Sequence, residues 1–329
     1  MRTRNLVILV GVLMLATLTS LQVGSYPVGP RAALETLAGN GTEQQDLVLF
    51  GIRLPRLIVV ILVGLALSLS GAILQAVSRN ALADPGILGL TSGAGLAVML
   101  QLYLTQESIL HPTLSRPLAA SLGAFSAAIL VHLLTYKRGR LDPNRLLLAG
   151  IVINAGLTAV TLIISMRLDR RLYDAAVMWT SGSASGKGWH DVLMMLPWLM
   201  LLISMALSQT KALDVLDLGD ETASSIGLQV QPRRILLLVT AVGLAGTAVA
   251  IVGGVGFVGL LGPHIARRLV GPRHGLLLIA AALTGATLMV AADAAARSVL
   301  APVELPVGVV VALLGAPYFL YLMATAMKR

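Results

Sequence analysis

Residues 53–75 read RLPRLIVVILVGLALSLSGAILQ, and no side chain from Leu57 to Gln75 carries a charge. A helix needs about 20 mainly apolar residues to cross the roughly 30 Å hydrocarbon core of a bilayer. This run meets that length and predicts a membrane-spanning helix over 54–77. Gly64 and Gly71 lie within it, and small residues let helices approach closely where lipid replaces water. At its head Arg53 and Arg56 flank Pro55, which places both guanidinium groups at a helix start on the outer surface. Snorkelling at the membrane interface is the plain reason for arginine there. A cation at a helix N-terminus is disfavoured by the macrodipole, however, so two of them point to an acidic partner outside.

The apolar pattern recurs along the whole chain. Of 329 residues, 57% are hydrophobic and 12% charged, against roughly 25% charged in a soluble domain. Ten spans are predicted, at about 6–24, 54–77, 87–104, 117–136, 145–166, 190–208, 235–252, 256–270, 275–297 and 305–326. The eighth, GFVGLLGPHIARRLV, is short and interrupted by Pro263, so it crosses only partway or sits inside a bundle. The opening MRTRNLVILVGVLMLATLTSLQV has the basic head and apolar centre of a signal peptide. No A-x-A-like cleavage pattern follows it, and it reads as a retained first span. Polar breaks are short, so residues 1–329 form one all-α polytopic membrane domain.

The formal net charge is +9, which in a membrane protein reflects basic loops on the cytoplasmic side rather than a nucleic-acid partner. With ten crossings both termini share a side. Placing them in the cytoplasm puts fifteen of the 24 lysines and arginines there and nine outside, the bias expected for that orientation. Spans two to five then start from outside and spans seven to ten from inside, an arrangement that permits an inverted repeat of four helices. The stretch 166–190 becomes the main outer loop of the second half. Cysteine is absent, which excludes disulfides and thiolate metal sites.

Enzyme signatures are missing. GSASGKG at 182–188 has three residues between its glycines instead of four, and Gly188 stands where a phosphate-binding loop needs Ser or Thr. It reads as a flexible outer loop. His111, His132, His190, His264 and His274 show no metal-ligand spacing and read as loop or packing residues. His132 lies inside the fourth span, where a polar group faces a bundle interior or a wet cavity. GGVGFVGLLG, from Gly253 to Gly262, reads as a small-residue packing surface. No catalytic residue, metal ligand or cofactor is assigned.

Two polar segments stand out. In ADAAARSVLAPVELPVG, Asp293 and Arg297 are four apart on one helix face and can pair, which softens the cost of a carboxylate in a membrane helix. In LDVLDLGDETASSIGLQVQPRR, residues 213–234, four of the chain's fifteen acids fall within eight positions: Asp214, Asp217, Asp220 and Glu221. Asp220 and Glu221 near a helix start suit its dipole, and Gly227 suits its end. Leu218, Thr222, Ser225 and Ile226 share a face. A short amphipathic helix lying against a cytoplasmic partner fits this segment, about 213–230, better than a plain connection does.

Four blocks then carry a resemblance that runs over nearly the whole chain: RLPRLIVVILVGLALSLSGAILQAVSRNALADPGILGLTSGAG from Arg53, LDVLDLGDETASSIGL from Leu213, GFVGLLGPHIARRLVG from Gly256 and ELPVGVVVALLGAPYFLYLM from Glu304. Together these resemble the FecCD-type permease subunits of binding-protein-dependent ABC importers for iron chelates, haem and cobalamin. The resemblance implies a ten-helix subunit in the bacterial cytoplasmic membrane, paired with a second permease, identical or paralogous, around a central path. It also implies two copies of a cytoplasmic ATPase below and a soluble binding protein outside.

By the same resemblance, Leu218, Gly219, Asp220, Glu221, Thr222, Ala223, Ser225, Ile226 and Gly227 form the segment that fits the ATPase. Arg53, Arg56 and Arg297 lie on the outer rim and pair with glutamates of the binding protein, steering docking more than supplying affinity. The expected cargo is a ferric siderophore, with haem or cobalamin as alternatives. Arg167, Arg170 and Arg171 at the outer mouth suit an anionic ferric chelate. The substrate path is left unassigned, because span boundaries are good only to a few residues. A secondary transporter driven by protons or sodium is the alternative of another class, opposed by the scarcity of carboxylates within the spans.

Overall fold

The computed structural model describes residues 2–23, 29–105, 112–137, 140–141 and 143–326. His111 and the basic residues Arg138, Lys328 and Arg329 lie outside them. Fifteen α-helices account for nearly all of the described chain. They are α1 (Arg2–Gln22), α2 (Pro30–Leu37), α3 (Glu43–Asp46), α4 (Leu54–Ser78), α5 (Leu90–Thr105), α6 (Pro112–Thr135), α7 (Pro143–Ser165) and α8 (Arg170–Thr180). Then follow α9 (Trp189–Ser208), α10 (Thr210–Leu216), α11 (Asp220–Ser225), α12 (Val230–Val252), α13 (Val258–Val270), α14 (His274–Ser298) and α15 (Val307–Ala326). Two two-residue strands, β1 (Tyr136–Lys137) and β2 (Arg140–Leu141), pair antiparallel between α6 and α7.

Each predicted span finds a helix: α1, α4 to α7, α9 and α12 to α15. Seven are long and apolar enough to cross a bilayer, while Leu90–Thr105 and Val307–Tyr321 are shorter apolar helices. Helix α13 has 13 residues, about 20 Å at 1.5 Å per residue, and so crosses only part of the core. The second span begins earlier than expected. A π-helical turn, Leu47–Arg53, joins α3 to α4 without a break, making one rod of 36 residues from Glu43 to Ser78. Its true start is capped by Thr42, whose hydroxyl accepts from Gln45 N while its own N–H donates to Gln45 Oε1.

Helix α4 is the axis of the molecule. Gly64 faces the Gly285 backbone of α14, and Gly71 faces Gly259 of α13, so closely that a Cβ at either place would overlap the opposing main chain. Hydroxyls reach across these seams: Ser68 Oγ donates to Ala281 O at 2.6 Å and Ser70 Oγ to Ala241 O at 2.7 Å. Without water to drive apolar burial, close contact and such bonds hold membrane helices together. Buried residues make up 78% of the apolar window in the α4 rod and in α12, but 17% in α1 and 11% in α7. The last two therefore face lipid, a partner or a wet space.

The chain has two polar ends. Asn5 Nδ2 donates to Leu269 O at 2.7 Å, which ties the start of α1 to the end of α13. The end of α4, helices α10 and α11, and the start of α14 gather at this same end. The finish of α1, the start of α4 and the finish of α14 gather at the other. Helices α5 and α13, second in their respective sets of four, are both short, and α4 packs on α14 as α12 packs on α6. That correspondence is the one an inverted repeat requires. The GSASGKG loop is pinned rather than flexible: Ser183 N donates to Val252 O at 2.8 Å, Gly308 N to Gly182 O at 3.1 Å.

Candidate functional site

At one end, six residues of α11 stand between two glycines with positive φ, Gly219 at +106° and Gly227 at +88°, a region that residues with a Cβ avoid. Asp220 faces inward. Its carboxylate takes both Arg234 Nη1 (3.1 Å) and Nη2 (2.8 Å) and pairs with Arg79. Arg234 belongs to α12 and Arg79 caps α4, so one carboxylate fastens α11 to two core helices. Ala223 is buried beneath the turn, whereas Glu221, Thr222, Ser225 and Gly227 are exposed. Leu218 and Ile226, one on each side of α11, are 62% and 61% exposed.

A second fastener escaped the sequence. His274, read there as a loop or packing residue, is fully buried at the start of α14, and both its backbone N and its Nδ1 meet Asp214 Oδ1 of α10 at 2.8 Å. Asp84, in the α4–α5 connection, is another. Its Oδ1 accepts from Gly86 N at 2.8 Å, while Oδ2 is buried without a well-formed bond beside the start of α13. Burial pushes this carboxyl up to about 6, against the pull of the Gly86 and Leu260 N–H groups.

At the opposite end the three arginines meet, as their shared placement implied, but they do not lie on the surface. Arg53, Arg56 and Arg297 are 7%, 9% and 8% exposed. Arg56 Nε and Nη2 donate to Asp293 Oδ1 at 3.1 and 2.9 Å, and Nη1 to Glu304 Oε2 at 2.8 Å. Arg297 Nε reaches Asp293 Oδ2 at 3.0 Å, the pairing expected from the four-residue spacing. Its Nη2 reaches Ser20 Oγ at 2.6 Å, and Arg53 Nη1 reaches Leu21 O at 2.5 Å. The correction has a clear cause. Because the rod extends back to Glu43, Arg53 and Arg56 sit inside a helix rather than at its start, and they turn into the junction of α1, α4 and α14.

A groove of about 320 Å³ opens between α5, α7 and α8, where a stripe of polar side chains, among them Thr91, Ser92, Asn154, Thr158, Thr161 and Ser165, runs beside apolar Met99, Leu162 and Val177. Asn154, Thr158, Thr161 and Ser165 recur at spacings of four and three, one face of α7. Three of these hydroxyls donate back to carbonyls three or four residues earlier at 2.7–2.8 Å, which leaves their lone pairs directed to the groove. Thr158 is exposed and Asn154 and Thr161 partly so on a helix this little buried, and polar side chains at that depth favour a wet cavity or a partner over lipid. Arg167, Arg170 and Arg171 are all exposed just beyond the groove's Ser165 end. Sequence reasoning missed this stripe, although the spacing was there to read.

The remaining histidines lie elsewhere. His132 stacks on Tyr136 at 5.3 Å and lines an apolar depression away from this groove. His190 is exposed at the head of α9, and His264 packs edge-on against Tyr318. Among the described residues no group of three or more acids and histidines could hold a metal.

Comparison with known proteins adds the relationships. The profile of the FecCD transport family matches residues 12–325. The iron(3+)-hydroxamate import system permease protein FhuG of Bacillus subtilis (strain 168) is 44% identical over 311 residues, 93% of this chain and 92% of that protein. The hemin transport system permease protein HmuU of Yersinia pestis is 37% identical, covering 94% of this chain and 93% of its own. A solved metal-chelate type ABC transporter in an inward-facing conformation superposes with a TM-score of 0.85 at 30% identity, covering 98% of this chain and 99% of the other.

Proposed function

Because this chain belongs to the FecCD transport family, whose members are transporter permeases rather than enzymes, we propose that it carries a ferric siderophore across the bacterial cytoplasmic membrane. The energy comes from ATP hydrolysed on two separate subunits that dock at the α11 end. One observation carries this reading: Leu218 and Ile226 stand exposed on a turn that Asp220 fastens to Arg79 of α4 and Arg234 of α12. A push on α11 therefore enters the core helices directly. The α11 end faces the cytoplasm with both termini, in keeping with the excess of basic residues assigned to that side.

The cargo passes along the polar groove of α7, completed by a second permease subunit, identical or paralogous. The binding protein docks on the arginine end. There Arg53, Arg56 and Arg297 act from within, beneath the rim, with Asp293 and Glu304 bound among them. The hydroxamate relative's higher identity favours a siderophore; haem is the second reading, supported by the relative named for hemin. An ion-coupled carrier is disfavoured because Asp293 is held by two arginines and is not free to load and release a cation.

The test is Leu218→Asp with Ile226→Asp. Losing two buried apolar side chains at an interface should weaken co-purification of the ATPase about tenfold or more, with the permease still folded. Undiminished co-purification and normal uptake would remove α11 from the coupling path.

A further inference from the structure

A second depression, separate from the α7 groove, follows α12 and α6, bounded by α9 in its upper part and by Leu88 and Leu146 in its lower part. Its upper part, about 360 Å³, is lined by Pro117, Ser121, Phe125, Trp198, Gly243 and Ile251 among others. A lower part of about 210 Å³ shares Phe125 and Val239 and continues to His132 and Ile235. Leu122, Ile129 and Leu193 stand exposed along the rims, and the lining is mainly apolar, with Ser121 and Thr247 among it. From Pro117 to His132 the helix rises about 22 Å, whereas one leaflet of the hydrocarbon core is about 15 Å deep. The trough is therefore long enough to take one extended acyl chain from the surface past the midplane.

Charge is placed at its mouth. Arg116 immediately precedes Pro117, and Lys187 lies just before α9, whose Met194, Met195 and Trp198 line the upper part. Arg116 has no acidic partner among the described residues. Lys187 Nζ lies 3.8 Å from Asp191 Oδ1, and Asp191 also accepts from Gly188 N at 2.9 Å. Among the described residues, Arg116, Lys187 and Asp191 sum to a net charge of +1. Burial lowers the Lys187 pKa, Asp191 opposes that, and the field of Arg116 adds to it. Each cation thus feels the other, and an anion between them would relieve both.

We propose that this trough is an anionic-phospholipid site, with one acyl chain along α12 between α6 and α9 and the headgroup phosphate between Arg116 and Lys187. Nothing here depends on the direction of transport or on the cargo. The site would make the permease sensitive to anionic lipid at the seam between α6, α9 and α12.

Trp198 reports on the trough directly. The chain has three tryptophans, so Trp179→Phe with Trp189→Phe leaves Trp198 as the single emitter. The full chain is placed in phosphatidylcholine vesicles with a minor fraction of either phosphatidylglycerol or phosphatidylcholine brominated on the acyl chain. Brominated phosphatidylglycerol should quench Trp198 with about fivefold higher apparent affinity, the preference expected for one net positive charge near a phosphate. Arg116→Gln with Lys187→Gln should bring the two lipids to parity while leaving quenching by phosphatidylcholine unchanged, which also shows that the variant is folded. Ser121→Phe, which fills the trough with the charges intact, should abolish the preference as well. Equal quenching by both lipids in the parent protein overturns the proposal. So does displacement of brominated phosphatidylglycerol by inorganic phosphate, which would mean that the acyl chain is not part of the site.

Discussion

Asp293 pairs with two guanidinium groups at once, inside the junction of α1, α4 and α14. Removing one member of such a buried network leaves uncompensated charge, which costs on the order of 3–5 kcal/mol. Asp293→Asn should therefore lower the thermal unfolding temperature in detergent sharply, whereas Arg31→Ala, at a solvent-exposed pair, should leave it unchanged. Asp84 makes a pH prediction. Its folded pKa of about 6 lies above the ordinary 3.8, so the folded state holds this proton more tightly than the unfolded one. The resulting stability is present in full below about 3.8 and is lost as pH rises through 6. The protein should be more stable at pH 5 than at 7.5 by about 1 kcal/mol from this group, and Asp84→Asn should erase that difference in thermal melts at the two pH values. At this scale the Asp293–Arg297 pair was legible, being four residues apart in sequence. The Arg56–Asp293 contact spans 237 positions and could not be read, nor could the inward turn of Arg53 and Arg56, which depends on a helix that continues backwards through an unremarkable LVLFGI.

Helix α4 owes its place to its glycines. A side chain at Gly71 would land on the Gly259 carbonyl, whereas Gly11 on α1 has nothing near it. Gly71→Leu should abolish assembly of the folded permease, measured as the monodisperse fraction after solubilisation, and Gly11→Ala should be indistinguishable from the parent. On α7 the polar stripe makes a functional prediction instead. Thr158→Leu with Thr161→Leu should slow uptake several-fold in the assembled complex without changing its stability, because both residues line the groove and their hydroxyls bond within their own helix. Most elements were visible in advance, since an apolar run of about 20 residues admits few other readings. The acidic insert was recognisable because charge is rare in this chain, and its helix proved to be six residues flanked by Leu218 and Ile226. What hydropathy could not supply was which face of each helix meets protein, as α7 and α12 show: similarly apolar runs, one almost bare and the other largely buried.

Across the whole molecule, α4 and α14 connect the two polar ends. Helix α4 has Arg56 in the arginine cluster and Arg79 on Asp220; α14 has Asp293 and Arg297 in that cluster and His274 on Asp214. Packed closely at Gly64 and Gly285, they connect the α11 end with the arginine end. The sequence conveyed the architecture, the family and the two ends; the joining of those ends through α4 and α14 became visible only in three dimensions. The decisive measurement is uptake of radioiron as a ferric hydroxamate into vesicles holding this chain, its ATPase and its binding protein. Accumulation should require hydrolysable ATP and vanish when the ATPase is omitted. Undiminished accumulation by the permease alone, driven by a proton or sodium gradient, would contradict an ATP-coupled importer.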